Sequence, residues 1–260
     1  MSKNQRYIFN DIKNVTVHGK SQEIILDISI FKNALDLTNK NINILKENAP
    51  DLFGILGMRN LSAFIGEMFV SSLEKCSNGL LIKNPHQDGY PDLLIMTDEG
   101  KELWKKLEKN NQDKNPFSGF DTGGIEVKAT CGSVPTPAQF RKKGLRKPEI
   151  GDERIEHARG YDWKAHHRET NNLAGIYWDF VDEKPVICGL FFSGDLTEDD
   201  WGNIVQPKKG GGRTTSVSIM TRSGIFKMYE NWIAVVDDKR YAKFFDKFNR
   251  SNLIGDLLEQ

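Results

Sequence analysis

The chain reads Gly89-Tyr90-Pro91-Asp92-Leu93-Leu94-Ile95-Met96 and, further on, Gly123-Gly124-Ile125-Glu126-Val127-Lys128-Ala129-Thr130, and these two stretches decide the fold we expect. The first is a turn that runs directly into an apolar strand. The second is a strand that begins at glycine. Because side chains i and i+2 share one face of a strand, Glu126 and Lys128 are predicted to point the same way, while Ile125, Val127 and Ala129 turn toward the core.

This predicted arrangement suits a divalent metal ion. Asp92 would lie at the mouth of one strand, with the Glu126 carboxylate and the Lys128 ammonium side by side on a neighbouring strand. Two hard oxygen ligands hold Mg²⁺, which keeps several of its waters. Lys128 would then lie where it orients or deprotonates one of those waters.

The order of these residues resembles the signature of a known superfamily. Pro-Asp, an intervening segment and Glu-x-Lys are typical of the PD-(D/E)XK nucleases, which include most type II restriction endonucleases. Pro91 and Asp92 match the first half, and Glu126, Val127 and Lys128 match the second. The motif gains specificity here from two predicted strands that carry its halves in the right order.

The resemblance covers roughly residues 61–192 and implies both fold and activity. It implies an α/β fold in which helices flank a restriction-endonuclease-like mixed central β-sheet. It implies a type II restriction endonuclease, which hydrolyses phosphodiester bonds in double-stranded DNA with Mg²⁺, or with Mn²⁺ in its place. Asp92 and Glu126 would be metal ligands together with the backbone carbonyl of Val127. Lys128 would position the attacking water or lower its pKa.

Glu67 is a further candidate ligand. It lies toward the edge of the apolar face of a helix predicted at 60–75, where a glutamate is expected to be solvated. Members of the superfamily often place an acidic residue on the helix before the first core strand. The resemblance therefore implies that Glu67 leans over the metal site.

The chain departs from the family in the length of the gap between the two halves. Glu126 follows Asp92 by 34 positions (126 minus 92), more than the tight hairpin often found there. We interpret the excess as an inserted helix that begins at a Thr97 or Asp98 cap. A loop over 110–119 is expected to complete the insertion.

Two basic segments are candidate DNA contacts. The first follows the Lys128 strand and contains prolines that exclude a long helix. A cationic loop that leaves this strand suits a phosphate backbone, and a solvated surface loop is the alternative. The second basic segment surrounds a glycine run. The candidate residues are Arg141, Lys142, Lys143, Arg146, Lys147, Lys208, Lys209 and Arg213.

The composition limits the classes of protein that the chain can represent. The 260 residues contain 36 basic and 36 acidic side chains, so a globally basic nucleic-acid binder is excluded while a local basic cleft is not. The 3 cysteines have no metal-binding spacing, which indicates a reducing compartment. Neither a signal peptide nor a membrane span is visible. We therefore expect a protein of the bacterial cytoplasm.

Hydrophobic periodicity predicts the remaining organisation. We expect an N-terminal subdomain at 1–59, a catalytic core at 60–195 that includes the DNA-contacting loop, and C-terminal elements at 196–260 packed on it, or a single domain throughout. The further expected helices cover 32–48, 152–170 and 237–249. The further expected strands cover 23–31, 80–82, 173–180, 185–192, 216–220 and 232–236.

Other functions and assemblies stay open at this stage. One alternative is a repair or recombination nuclease of the same fold that acts on DNA structure, and another is a DNA-binding module without catalysis. A palindromic DNA site favours a C₂ dimer, since each chain carries one copy of the catalytic trio. A monomer that cuts the strands in turn is the alternative. The aromatic helix around Phe244, Phe245 and Phe248 would supply an interface or pack into its own core.

Overall fold

The structure is a computed structural model that describes residues 6–20, 22–86, 89–165, 168–207, 216–249 and 253–258. Its strands are β1 (Tyr7–Phe9), β2 (Asn14–His18), β3 (Glu23–Asp27), β4 (Leu81–Lys83), β5 (Leu93–Ile95), β6 (Gly124–Thr130), β7 (Lys164–Ala165), β8 (Leu173–Val181), β9 (Lys184–Ser193), β10 (Ser218–Ile219) and β11 (Trp232–Val236).

The α-helices are α1 (Ile28–Asn48), α2 (Leu52–Ile55), α3 (Met58–Cys76), α4 (Asp98–Leu107), α5 (Pro137–Lys142), α6 (Arg222–Glu230), α7 (Lys239–Phe245) and α8 (Ile254–Leu257). Single turns of 3₁₀ helix occur at Glu108–Asn110, Asn115–Phe117, Ile155–His157 and Glu198–Asp200. Within the described ranges, no helix combines the length and the apolar character needed to cross a membrane.

Seven of the described strands form one mixed sheet, in the order β1-β11-β9-β8-β6-β5-β4. The β6 and β8 strands are parallel, and every other neighbouring pair is antiparallel. The predicted mixed α/β sheet is confirmed. Its strands come from all three expected segments of the chain, because β1 near the start pairs with β11 near the end.

Helices cover both faces of this sheet. On β8, the side chains of Ile176, Trp178 and Phe180 join a first core that includes residues of α1 and α3. Tyr177 points to the opposite face and joins a second core that includes residues of α6 and α7. Strands buried on both faces are expected to be mainly apolar, as β8 and β9 are apart from the buried Asp179 and the residues at their ends. Phe244 and Phe245 also belong to the second core, so neither ring is available for a dimer interface.

The predicted insertion between the two motif halves is present. The Thr97 side chain accepts a hydrogen bond from the Gly100 amide and caps α4. Below the helix, Leu94, Met96 and Phe117 form a small third core against the partly buried side of α4. The insertion thus covers the face of β5 that the first core leaves free.

The predicted helix at 152–170 is wrong. Its start is held by the buried carboxylate of Asp179, which accepts hydrogen bonds from the amides of Arg154 and Ile155 at 2.9 Å. Only one 3₁₀ turn follows, and the chain then extends into β7, which pairs with β10. The carboxylate fixes only first-turn amides, whereas the Arg159 amide and the Gly160 carbonyl bond to Ser133, so tertiary hydrogen bonds replace those of a helix.

The predicted strand at 23–31 is only half correct. The strand ends at Asp27, whose side chain accepts a hydrogen bond from the Ser29 amide and caps α1 at Ile28. The alternating apolar residues after Asp27 therefore begin a helix. Helix α6, which begins at a Thr221 cap, was not predicted.

Candidate active site

Pairing of two strands brings the halves of the motif together. The β5 and β6 strands are antiparallel, and Leu93 pairs with Ile125. Asp92 immediately precedes β5, and its Oδ2 accepts a hydrogen bond of 2.7 Å from the Val127 amide. The first carboxylate is therefore fixed against the strand that carries the second.

Glu126 and Lys128 share one face of β6, as predicted. Ile125 and Val127 pack into the first core on the other face. The Glu126 side chain is only 6% exposed, and the Lys128 ammonium contacts its Oε1 directly. The side chain of Lys128 is itself 29% exposed, so solvent reaches this side chain more than it reaches that of Glu126.

The electrostatics of the site are dominated by burial and by two like charges. Burial, followed by the nearby Glu126 carboxylate, raises the pKa of Asp92 to about 7. Burial acts to lower the pKa of Lys128, but the Glu126 and Asp92 carboxylates outweigh it and leave that pKa above its ordinary value. The site thus contains two carboxylates, and the single ammonium neutralises the charge of only one of them.

The donor set fits a hard divalent cation. Asp92 and Glu126 supply carboxylate oxygens, and a cation between them would remove the repulsion that raises the pKa of Asp92. Among the described residues, no group of three or more His, Cys, Asp or Glu side chains is placed to hold a metal. That observation is compatible with Mg²⁺, which often binds through one or two carboxylates and keeps several waters.

Glu67 lies at the margin of the site. Its side chain is 60% exposed and forms an ion pair of 2.5 Å with Lys83, at the end of β4. It also contributes to the raised pKa of Asp92, as the last and smallest of the causes. Glu67 therefore lies at some distance from the carboxylate pair and is paired with the Lys83 side chain.

Tyr90 lies near the carboxylate pair and was not recognised from the sequence. Its hydroxyl donates a hydrogen bond of 2.9 Å to Thr170 Oγ1. Burial raises the pKa of Tyr90, and the charges of Glu126 and Asp92 add to the effect, so its phenol lies near both carboxylates. The only signal in the sequence is its position directly before the Pro-Asp pair.

Asn172 fixes the beginning of the Glu126 strand and was also missed. Its backbone carbonyl accepts a 3.0 Å hydrogen bond from the Glu126 amide. Its side chain donates to the carbonyls of His18 and Gly124 at 2.7 and 3.0 Å and accepts from the His18 amide at 2.8 Å. The β2–β3 hairpin is thereby tied to the active strand.

The segment after β6 contains five of the predicted DNA contacts, and its base is fastened by backbone hydrogen bonds. The Ser133 amide donates to Gly160 O, and the Arg159 amide donates to Ser133 O, each at 2.6 Å. A strand rises about 3.3 Å per residue, so the end of β6 at Thr130 lies about 13 Å along the strand from Glu126. That separation is less than one turn of duplex DNA, about 34 Å.

These five basic side chains are all exposed. Within the described residues, only Arg146 among them forms ion pairs, with Glu149 at 2.8 Å and with Asp152 at 2.7 Å. Exposure suits DNA contact and solvation equally, so their role stays a prediction. The five are Arg141, Lys142, Lys143, Arg146 and Lys147. The other three candidates, Lys208, Lys209 and Arg213, lie outside the described residues.

Comparison with known proteins identifies no relative. No protein-family model, no curated protein and no solved structure matches the chain. The resemblance to the PD-(D/E)XK nucleases therefore rests on the motif residues and on their arrangement in this fold.

Proposed function

We propose that this protein is a Mg²⁺-dependent endonuclease that hydrolyses phosphodiester bonds in double-stranded DNA, of the type II restriction class. The observation that carries the proposal is the joint position of Asp92, Glu126 and Lys128. They lie on or beside two paired strands, in the order of the nuclease motif. The pairing brings two carboxylates and one ammonium into a single half-buried site.

The residues that would hold the ion follow from this arrangement. Asp92 and Glu126 would bind it through carboxylate oxygens. The amide and carbonyl of one strand residue leave the backbone on the same side. Since the Val127 amide donates to Asp92, we expect the Val127 carbonyl to face the same side and to supply a third oxygen. When bound, the ion polarises a phosphoryl oxygen and lowers the pKa of a water.

Lys128 would act on the phosphate and on the water. Its ammonium is held beside Glu126 at the end of a partly exposed side chain, so it would hydrogen-bond the attacking water and stabilise negative charge that develops on the phosphate. A compact ammonium with three donors suits this task better than a planar guanidinium. The raised pKa of Lys128 keeps the ammonium charged at neutral pH.

The basic segment after β6 would hold the DNA. Its exposed lysines and arginines suit contacts with phosphates, which position the duplex, and base edges in a groove would supply sequence recognition.

A palindromic target would be met by a homodimer. Light scattering of the DNA-bound protein tests the dimer. One chain per duplex, with nicked circles accumulating before linear product on a supercoiled plasmid, would contradict it.

Digestion of a long unmodified duplex tests the proposed function. The wild-type protein in Mg²⁺ is expected to give discrete bands, and Mn²⁺ is expected to support the same pattern. Asp92→Ala should give no product while it still retards duplex DNA in a gel, because the basic surface is intact.

Other outcomes point to other functions. A smear, or cleavage restricted to branched DNA, would replace the restriction class with a structure-specific nuclease. Unchanged DNA in both metals, together with retained DNA binding, would leave a binding module and refute the enzyme.

A further inference from the structure

We propose that Asn84 is a positioning residue for Asp92. The inference rests on the proposed function, because it assigns Asn84 the task of holding the first metal ligand. Asn84 follows β4 directly and is 7% exposed. It lies outside the nuclease motif.

Asn84 holds the backbone on both sides of Asp92. Its side-chain amide donates a 2.9 Å hydrogen bond to the carbonyl of Pro91, which precedes the Asp92 Cα. Its backbone amide donates a 2.8 Å hydrogen bond to the carbonyl of Asp92 itself, which follows that Cα. Rotation of either Asp92 backbone dihedral would move one of these carbonyls away from its donor. The backbone angles of Asp92 are therefore set by Asn84.

The same side chain ties the insertion to this turn. The second side-chain N–H of Asn84 donates a 2.9 Å hydrogen bond to Phe117 O, which also accepts from the Tyr90 amide at 3.0 Å. The side-chain oxygen accepts a 3.0 Å hydrogen bond from the His86 amide. One short side chain thus connects β4, the Pro-Asp turn and the segment after α4.

The chemistry of the position selects asparagine. Two donors and one acceptor on one short side chain are required, and among side chains of this length only a carboxamide provides them. The space is also closed, because a Cβ added at Gly89 would lie 2.3 Å from the Asn84 side-chain oxygen. A glutamine, one methylene longer, has no room to make the same bonds.

Asp92 is consequently fixed at two ends. Asn84 sets its backbone, and the Val127 amide holds its carboxylate at 2.7 Å. Groups that orient metal ligands without touching the metal typically change metal affinity by about 10–100-fold when they are replaced. Loss of the Asn84 side-chain bonds releases the Pro91 carbonyl, although the backbone bond to Asp92 stays, and should therefore weaken metal binding and leave DNA binding intact.

Two uncharged variants test the inference, because an added carboxylate would itself attract the ion. Asn84→Leu has a similar shape and no donor, and Asn84→Ser keeps one donor. Thr122→Val is the matched control. It removes a buried 3.0 Å hydrogen bond to the carbonyl of Ile95, which lies on β5, the strand that follows Asp92. The substitution leaves the hydrogen bonds around Asp92 in place. The Mg²⁺ concentration for half-maximal cleavage, the Mg²⁺-induced rise in unfolding temperature and the KM for duplex DNA are measured for each protein.

Asn84→Leu is expected to raise the Mg²⁺ midpoint by about 10–100-fold with a KM for DNA within about twofold of wild type. Asn84→Ser should fall between Leu and wild type. Thr122→Val should lower the unfolding temperature and leave the Mg²⁺ midpoint unchanged.

Two results would overturn the inference alone. One is a wild-type Mg²⁺ midpoint in the folded Leu or Ser variant, and the other is an equal shift in Thr122→Val. Either would leave the proposed function standing. A wild-type protein that neither cleaves DNA nor gains stability with Mg²⁺ would refute the proposed function and the inference together.

Discussion

Asp92→Asn is expected to make the metal-free protein more stable while it abolishes cleavage. The wild-type carboxyl group lies in a largely buried site beside the Glu126 carboxylate and becomes ionised as the pH rises through about 7. Asparagine has nearly the same shape, and its side-chain oxygen can still accept the hydrogen bond from Val127. The substitution therefore removes a charge whose repulsion a bound ion would otherwise offset.

The magnitude follows from the pKa of Asp92, which burial and Glu126 raise from 3.8 to about 7. At 1.36 kcal/mol per pKa unit, ionising this group in the folded protein costs about 4 kcal/mol relative to the unfolded chain. The hydrogen bond from the Val127 amide is already part of this balance, because it acts to lower the pKa of Asp92. The expected gain in the free energy of unfolding is therefore about 4 kcal/mol well above pH 7.

The pH dependence has a definite sign. The folded-state pKa of Asp92 is above its unfolded value, so the carboxyl group stabilises the fold below about pH 4, and that contribution is lost as the pH rises through about 7. Asparagine does not titrate. The two proteins should therefore be about equally stable near pH 4 and should differ most above pH 7.

Urea unfolding in EDTA at the two ends of this range measures the difference. Asp121→Asn is the control, since that carboxylate is 80% exposed, and it should stay within about 0.5 kcal/mol of wild type throughout. An Asp92→Asn protein that is no more stable than wild type above pH 7 would refute the electrostatic reasoning. A difference independent of pH would refute it as well.

Three further predictions concern the ammonium, a buried carboxylate outside the site and the basic segment. Lys128→Ala should lower the single-turnover cleavage rate by about 10²-fold or more and should keep the Mg²⁺-induced rise in unfolding temperature. Near wild-type cleavage rates in Lys128→Arg would count against a specific role for the ammonium. Asp179→Ala leaves three backbone amides and the Tyr241 hydroxyl without their acceptor. Urea unfolding should therefore show that the free energy of unfolding falls by about 3 kcal/mol or more, and a fall of less than about 1 kcal/mol would contradict this prediction. Lys142→Ala should reduce the slope of the logarithm of DNA affinity against the logarithm of salt concentration by about one, and the exposed control Lys243→Ala should not. Equal slopes for the two variants in gel-shift titrations would show that Lys142 does not contact DNA.

The arrangement of the trio could be predicted because it depends on local rules. Strand alternation alone puts Glu126 and Lys128 on one face. Proximity of Asp92 required only that the two motif strands be neighbours, which β5 and β6 are. The insertion could be placed because a long gap and the Thr97 cap both have local signals.

Features that depend on distant partners could not be predicted. The pattern over 152–170 is helical by itself, but the Arg159 amide and the Gly160 carbonyl pair with Ser133, about 26 positions earlier, in place of the partners that a helix would give them. The pairing of β1 with β11 joins the two ends of the chain and leaves no short-range signal. Asn84 and Tyr90 likewise gain their places near Asp92 from contacts that only the folded chain provides.

The central claim is that the paired carboxylates support metal-dependent hydrolysis of DNA. The most direct measurement is the rate of supercoiled plasmid cleavage as Mg²⁺ is titrated, for wild type and for Glu126→Gln. Cleavage in the wild type should rise with Mg²⁺ and stop in EDTA, and the Gln variant should be inactive at every concentration. A metal-independent wild-type rate, or a Glu126→Gln protein within tenfold of wild type, would contradict the claim.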